Sequence, residues 1–281
     1  MCPLIKESWA RVLVTEKMLI LNIGDISVKL LCEDSSLGDD FDEFLFDGKE
    51  KSDLLTLKVN KKVSFLPQSG DLSVVAEKGL MTAELDGLKS CVNLNTFEGE
   101  INITSKKSFD TLLRYIYPMA LIYRDGFCIH ASSVAKNDKA YIFPGKSGAG
   151  KTTIAWLSQD ATFLGDDVSI VRKMGEEFIA YGSPFCGSFG VSGGKISKPI
   201  IGSFFPVKSK ENYVVKLSAK DALRKLLPNI LLFGQDQYSK TKAFDLAYEF
   251  VSSISNYNLH FLRDLSFWKC IDELDQGNDR Q

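Results

Sequence analysis

Histidine, paired cysteine and long apolar runs are what this chain has least of. Only two histidines, His130 and His260, occur in 281 residues. The six cysteines (Cys2, Cys32, Cys91, Cys128, Cys186, Cys270) are scattered, with no Cys-x-x-Cys and no Cys/His cluster. That spacing excludes a zinc site and speaks against a disulfide framework. With no secretory signal at the start of the sequence, reduced thiols and a cytoplasmic location are expected. No excess of one charge exists either: 34 basic residues face 36 acidic ones, for a net charge of −2. A broad basic face is therefore not implied, and nucleic acid is not an expected partner. The longest apolar stretch, residues 111–123, is short and contains Arg114. It cannot span a bilayer, so no membrane partner is expected. Repeats and low-complexity tracts are also missing. What remains, 44% hydrophobic and 25% charged residues, is an ordinary globular composition with length for one large or two ordinary domains.

Against that plain background one segment stands out. Gly145-Lys146-Ser147-Gly148-Ala149-Gly150-Lys151-Thr152-Thr153 has the P-loop pattern: Gly, four residues, Gly-Lys, then Ser or Thr. Ala140-Tyr141-Ile142-Phe143 before it reads as a strand that Pro144 ends. The residues from Thr152 onward read as the first turns of a helix. Strand, glycine-rich turn and helix together are the setting this motif requires. Consecutive loop N–H groups and the helix dipole make an anion nest. The glycines let a phosphate approach the backbone. Lys151 then contacts the β- and γ-phosphates, and the Thr152 hydroxyl is placed to ligate Mg²⁺. Gly145, Ser147, Gly148, Ala149, Gly150, Lys151, Thr152 and Thr153 are the expected nucleotide-binding residues, with ATP and Mg²⁺ as cofactors. Lys146 is expected to project to solvent.

A second constellation follows shortly after. Leu164-Gly165-Asp166-Asp167 ends a short apolar run. Phosphoryl transfer needs a carboxylate on the metal and a group that orients or deprotonates the acceptor. Two adjacent acids whose side chains point to opposite sides can divide those roles, and closeness raises one of the two pKa values, which suits a base. Gly-Asp-Asp is also good turn chemistry. His130 lies in the apolar run Phe127 to Ala131, which leads into the loop-bearing strand. Antiparallel pairing would leave it beside that strand, at the site. A structural histidine is the equal alternative, and it is the reading for His260.

The first hundred or so residues read as β-rich: residues 18–23, 26–32, 54–59, 72–76 and 101–104 alternate or run apolar and β-branched between turn residues. The acidic stretch Gly38 to Glu43 lacks calcium-loop spacing and reads as a solvated surface loop. A helix is expected from Ser108, its cap, to Tyr123. The boundary is placed there, giving a β-rich domain of residues 1–106 and a P-loop domain of residues 107–281. In the second, residues 127–135 and the loop-bearing strand form a hairpin around Lys136-Asn137-Asp138. Strands follow at 162–164, 168–172 and 178–181. Residues 203–207 and 213–217 read as a strand pair, residues 218–227 and 243–253 as helices, residues 259–262 as a last strand and residues 266–274 as a last helix. The segment Ser192 to Pro199, with Lys195 and Lys198 among glycines, reads as a solvated loop in preference to a cation-bearing flap.

Taken together, Ile129-His130-Ala131-Ser132, the loop, Gly165-Asp166-Asp167 and Gly182-Ser183-Pro184-Phe185-Cys186-Gly187 resemble the HPr kinase/phosphorylase-like group of P-loop kinases, a group related in fold to ATP-dependent phosphoenolpyruvate carboxykinase. The runs Pro199 to Pro206 and Ala222 to Pro228 resemble the smaller HPr-serine-kinase-like proteins. The resemblance spans roughly residues 107–275. It implies an α/β fold and an ATP-dependent phosphotransferase, with Lys151 on phosphate and Thr152 on Mg²⁺. Asp166 would be the base toward the acceptor hydroxyl, Asp167 would assist the metal, and His130 would lie at the active site. A homo-oligomer is a further implication, since HPr kinases form hexamers. The chain departs from the group at Phe178 to Ser183, where the Glu and Arg-Gly tied to the reverse, phosphorylase reaction are missing. Three functions are thus expected in order: a kinase for a serine of a peptide or small protein, a kinase for a small molecule such as free serine, and a nucleotide-binding regulatory module without transfer. The β-rich domain is expected to recognise the acceptor or a partner.

Overall fold

A computed structural model of the chain describes residues 17–46, 54–61, 73–85, 88–187, 190–234 and 236–278. Cys2 and Leu72 lie outside the described residues. Two compact units emerge, one reaching Gly126 and taking in Leu232–Ala243, the other formed by Phe127–Leu231 and the residues from Phe244 onward. Both mix sheet and helix, so the class is mixed α/β. No helix among the described residues is long and apolar enough to cross a membrane.

Among the described residues the first unit is built on one seven-stranded sheet. Its strands are β1 (Lys17–Ile23), β2 (Ile26–Cys32), β3 (Leu54–Lys61), β4 (Ser73–Glu77), β5 (Leu80–Leu85), β6 (Leu88–Asn93) and β7 (Glu98–Ile103), in the order β1-β2-β3-β7-β6-β5-β4. Strands β5 and β6 were not among the expected ones. Gly24 and Asp25 both take positive φ, as a tight hairpin between β1 and β2 requires. The acidic stretch is a 3-10 helix, Ser35–Phe44, which turns its acids outward and buries Leu37, Phe41 and Phe44.

Helix α1 (Lys106–Ile122) begins three residues earlier than a cap at Ser108 implies. Ser105 is the cap, and Ser108 is the third helical residue that returns its hydroxyl to the cap's backbone. The apolar face of α1 lies against β5, β6 and β7, which is why the helix belongs to the first unit and the second begins after Gly126.

Among the described residues the second unit holds nine strands: β8 (Gly126–Ile129), β9 (Ala131–Lys136), β10 (Lys139–Pro144), β11 (Thr162–Gly165), β12 (Ser169–Met174), β13 (Glu177–Tyr181), β14 (Ser197–Lys208), β15 (Tyr213–Lys216) and β16 (Ser255–Phe261). Their main path is β11-β9-β10-β14-β13-β12-β8, with β16 against β14 and β15 against β16. The expected hairpin is present, with Ala131 opposite Pro144. Its first strand is broken at His130. Before the break β8 runs beside β12, and after it β9 runs beside β10 and β11. The expected pairing of residues 203–207 with 213–217 does not occur. Strand β16 lies between them, parallel to β14 and antiparallel to β15. Sequence neighbours suggest a hairpin, but a parallel partner can arrive only after a long crossover. Here that crossover carries the helices α3 (Ala219–Leu226) and α4 (Gln237–Ser253), after α2 (Lys151–Leu157) and before α5 (Phe267–Asn278).

Strands β10, β14 and β16 are mutually parallel. Their side chains feed two cores by alternation: Tyr141, Phe143 and Phe204 enter one, and Ala140, Ile142 and Phe205 the other. A sheet covered on both faces has only its strand ends open, so ligands of such sheets bind at the carboxyl ends. In this unit those ends are Pro144, Lys208 and Phe261.

Candidate functional site

The glycine-rich loop leaves β10 at its carboxyl end and enters α2. Gly148 and Gly150 both sit in the left-handed region, with φ of 78° and 106°. Gly150 is the residue before the helix and has a second constraint. A Cβ there would lie 2.5 Å from the ring of Phe261. Only glycine lets the loop turn this sharply while resting on β16. Lys146 is exposed, as expected. Lys151 is 6% exposed, and its Nζ donates to the Lys146 carbonyl at 3.2 Å. Burial pulls its ammonium below the ordinary lysine value, with the charges of Asp167 and then Asp166 opposing the shift.

The two acids leave β11 in different directions. Asp166 is 2% exposed. Its Oδ1 accepts two hydroxyl hydrogen bonds, from Ser132 at 2.8 Å and from Thr152 at 3.1 Å. Its Oδ2 is buried with no hydrogen-bond partner. Asp167 has a φ of 77°, unusual for a residue with a side chain, and is half exposed. The left-handed turn carries its carboxylate outward to His130, whose Nε2 lies 2.9 Å from Oδ1. His130 is held by its backbone. Its N–H donates to Asn229 O at 2.7 Å, and its carbonyl accepts from Gly145 N–H at 3.3 Å. The break between β8 and β9 thus fixes the histidine to the first residue of the loop. Behind the acids, Gly187 comes so near that a Cβ would lie 2.7 Å from the Asp167 Cβ and 3.1 Å from Asp166 Oδ2.

These groups share one cavity of about 250 Å³. His130, Ser147, Gly148, Gly150, Lys151, Thr152, Thr153, Asp166 and Asp167 all line it. Of the residues expected at the site, Gly145 and Ala149 do not. Gly145 anchors the loop to His130, and Ala149 closes a turn onto Lys146 O at 3.1 Å. Two further lining residues, Lys208 and Arg263, were missed. Lys195 and Lys198, in the segment read as a solvated loop in preference to a cation-bearing flap, do not line the cavity. Lys198 is joined to Asp138 at 2.5 Å, in the turn at the opposite end of β10 from the loop. Ser132, part of the resemblance but given no role there, proves to be the inner anchor of Asp166. The signal for Lys208 and Arg263 lies in topology, since one ends and the other closely follows a strand parallel to β10.

The arrangement fits a magnesium ion. A buried carboxylate oxygen without a partner sits on the same side chain that holds the Thr152 hydroxyl. No group of three or more His, Cys, Asp or Glu that could cage a metal occurs among the described residues. Magnesium rarely uses such a cage, preferring one or two carboxylates, water and substrate phosphates.

No family model matches the sequence, and no curated protein matches it. Among solved structures, the HPr(Ser) kinase/phosphatase from Coxiella burnetii aligns with a TM-score of 0.32 and 12% identity, over 54% of this chain and 98% of that one. A likeness that remote carries no inference, and the chemistry rests on the site itself.

Proposed function

We propose that the protein is an ATP- and Mg²⁺-dependent kinase that transfers the γ-phosphoryl group to a hydroxyl, a serine of a peptide or small protein being the leading acceptor. The observation that carries this reading is Asp166. It binds the Thr152 hydroxyl through one oxygen, its other oxygen is buried without a partner, and the residue lines the cavity that holds Lys151 and the loop. A bare anion-binding loop does not need a buried carboxylate there, because a second negative charge opposes phosphate binding. A divalent cation reverses that logic.

Asp166 and Thr152 would hold the ion, which when bound neutralises charge on the phosphates. Loop N–H groups and the Lys151 ammonium bind the same oxygens. The hydrogen bonds support roles opposite to those the resemblance implies: Asp166 on the metal side, and Asp167 with His130 on the acceptor side. The Asp167–His130 pair takes the proton of the acceptor hydroxyl. That oxygen bonds to the γ-phosphorus, the bond between γ-phosphorus and the bridging oxygen breaks, and ADP leaves.

The test is incubation with γ-labelled ATP, Mg²⁺ and three acceptor sets: serine-bearing peptides, free serine and other small alcohols, and no acceptor. Label on peptide serine, lost in Asp166→Asn and in Lys151→Ala, is the expected result. Label on free serine alone gives a small-molecule kinase. Tight nucleotide binding with no transfer to any acceptor refutes the kinase reading and leaves a nucleotide-binding module.

A further inference from the structure

The cavity is electrically divided, and the division follows the sheet. Strands β9 and β11 flank β10 on one side and β14 and β16 on the other. The acids Asp166 and Asp167 come off the end of β11, and His130 precedes β9. Lys208 ends β14, and Arg263 follows β16 by two residues. In the parallel register Lys208 stands opposite Phe261. The ring of Phe261 is the surface on which Gly150 rests. So the two cations stand beside the helix end of the loop, across β10 from the two acids. Both are exposed, and neither joins an ion pair among the described residues.

A free cation in water has little reason to be held beside two others in one cleft. Lys151, Lys208 and Arg263 repel one another unless an anion of several charges lies between them. A polyphosphate is such an anion. Its transferred end must sit at the acids, where the acceptor is deprotonated, so the rest of the chain must run the other way. We infer that Lys208 and Arg263 grip the part of the donor's phosphate chain that stays behind, and so set the direction in which the donor lies across the loop. An anionic acceptor is the weaker occupant. It would have to reach these cations while its hydroxyl lies beside Asp167, on the far side of β10, with the donor's phosphates between.

This inference rests on the donor reading of the cavity, and its test separates the two. Lys208→Ala, Arg263→Ala and the double variant are titrated by calorimetry with Mg·ADP and with inorganic tripolyphosphate, acceptor omitted. Each single change should weaken both ligands roughly threefold to tenfold, the range for partly exposed charged hydrogen bonds. The double variant should lose more, and added salt should shrink the difference between variant and wild type. Equal losses for ADP and tripolyphosphate identify the phosphate chain, and not the nucleoside, as what is gripped. Unchanged affinity for both ligands in the double variant, with a raised acceptor KM, overturns the inference and gives the cations to the acceptor. Failure of the wild-type protein to bind either ligand overturns it together with the donor reading. Lost tripolyphosphate binding in a protein that transfers phosphate to nothing leaves the inference standing and removes only the kinase.

Discussion

Replacing Asp166 by Asn separates a metal-side carboxylate from a structural one. The variant keeps its volume and keeps an oxygen to accept from Ser132 and Thr152. It removes a charge whose second oxygen has no partner. A buried unpaired polar group costs about 1–3 kcal/mol, and more when charged. The amide leaves its own N–H group unpaired in the same place, so only part of that cost is relieved. Repulsion from Asp167 is relieved too, while attraction to Lys151 is lost. The ligand-free variant should therefore be as stable as wild type, or more stable by about 1 kcal/mol. For a chain of this length that is roughly 2 °C in Tm. The ligand effect has the opposite sign. Wild type at 100 times the Kd of Mg·ADP should gain about 2.7 kcal/mol, or roughly 5 °C. The variant should lose the magnesium-dependent part of that gain. Thermal unfolding of both proteins, with ADP alone and with ADP and Mg²⁺, reads both quantities. A ligand-free variant destabilised by about 2 kcal/mol or more, with its magnesium-dependent shift intact, would refute the reasoning and make Asp166 a structural acceptor for two hydroxyls.

Gly150→Ala meets both a φ of 106° and the Phe261 ring at 2.5 Å, so it should lower stability by about 2 kcal/mol or more and abolish ADP binding. Gly148→Ala, with a φ of 78° but open space around the added methyl, should cost only the backbone strain of about 1–2 kcal/mol, which urea unfolding can distinguish. Lys151, already held below the ordinary lysine value by burial, loses its proton earlier than a free lysine as pH rises. A bound polyanion pulls that value back up, so ADP binding at alkaline pH should take up a proton, seen as a dependence of the calorimetric heat on buffer ionisation; no uptake would place the ammonium away from the phosphates. Ser105→Ala removes the hydroxyl that caps α1 but leaves the bond from the backbone N–H of residue 105 to Ser108 Oγ, and should cost about 1 kcal/mol in denaturant unfolding, with the cavity unaffected.

The glycine-rich loop, its strand and its helix were legible because their pattern is local: the apolar run to Phe143, Pro144, the glycines and Lys151-Thr152 lie within fifteen consecutive residues. The hairpin that brings His130 to the loop was legible for the same reason, since Asn137 and Asp138 suit its tight turn. Helix α1 was visible in its period, but its cap was misplaced because two serines three residues apart both suit the position, and only their mutual hydrogen bonds show which is the cap. The pairing of β14 with β16 was not legible. Nearly fifty residues separate them, and nothing in an apolar strand states whether its partner is the next strand or a later, parallel one. Everything that depends on that pairing was hidden with it: Lys208 and Arg263 beside the loop, the ring under Gly150, and the division of the cavity into an acidic and a cationic side. The different surroundings of Asp166 and Asp167 were hidden for another reason. Their order in the chain is symmetrical with respect to function, and a left-handed φ at Asp167 sends one carboxylate to Thr152 and the other to His130. Local chemistry thus belongs to the sequence, because short-range sterics and hydrogen bonding decide it. Which charges face one another belongs to the tertiary structure, because strands distant in sequence meet only when the sheet closes its two cores.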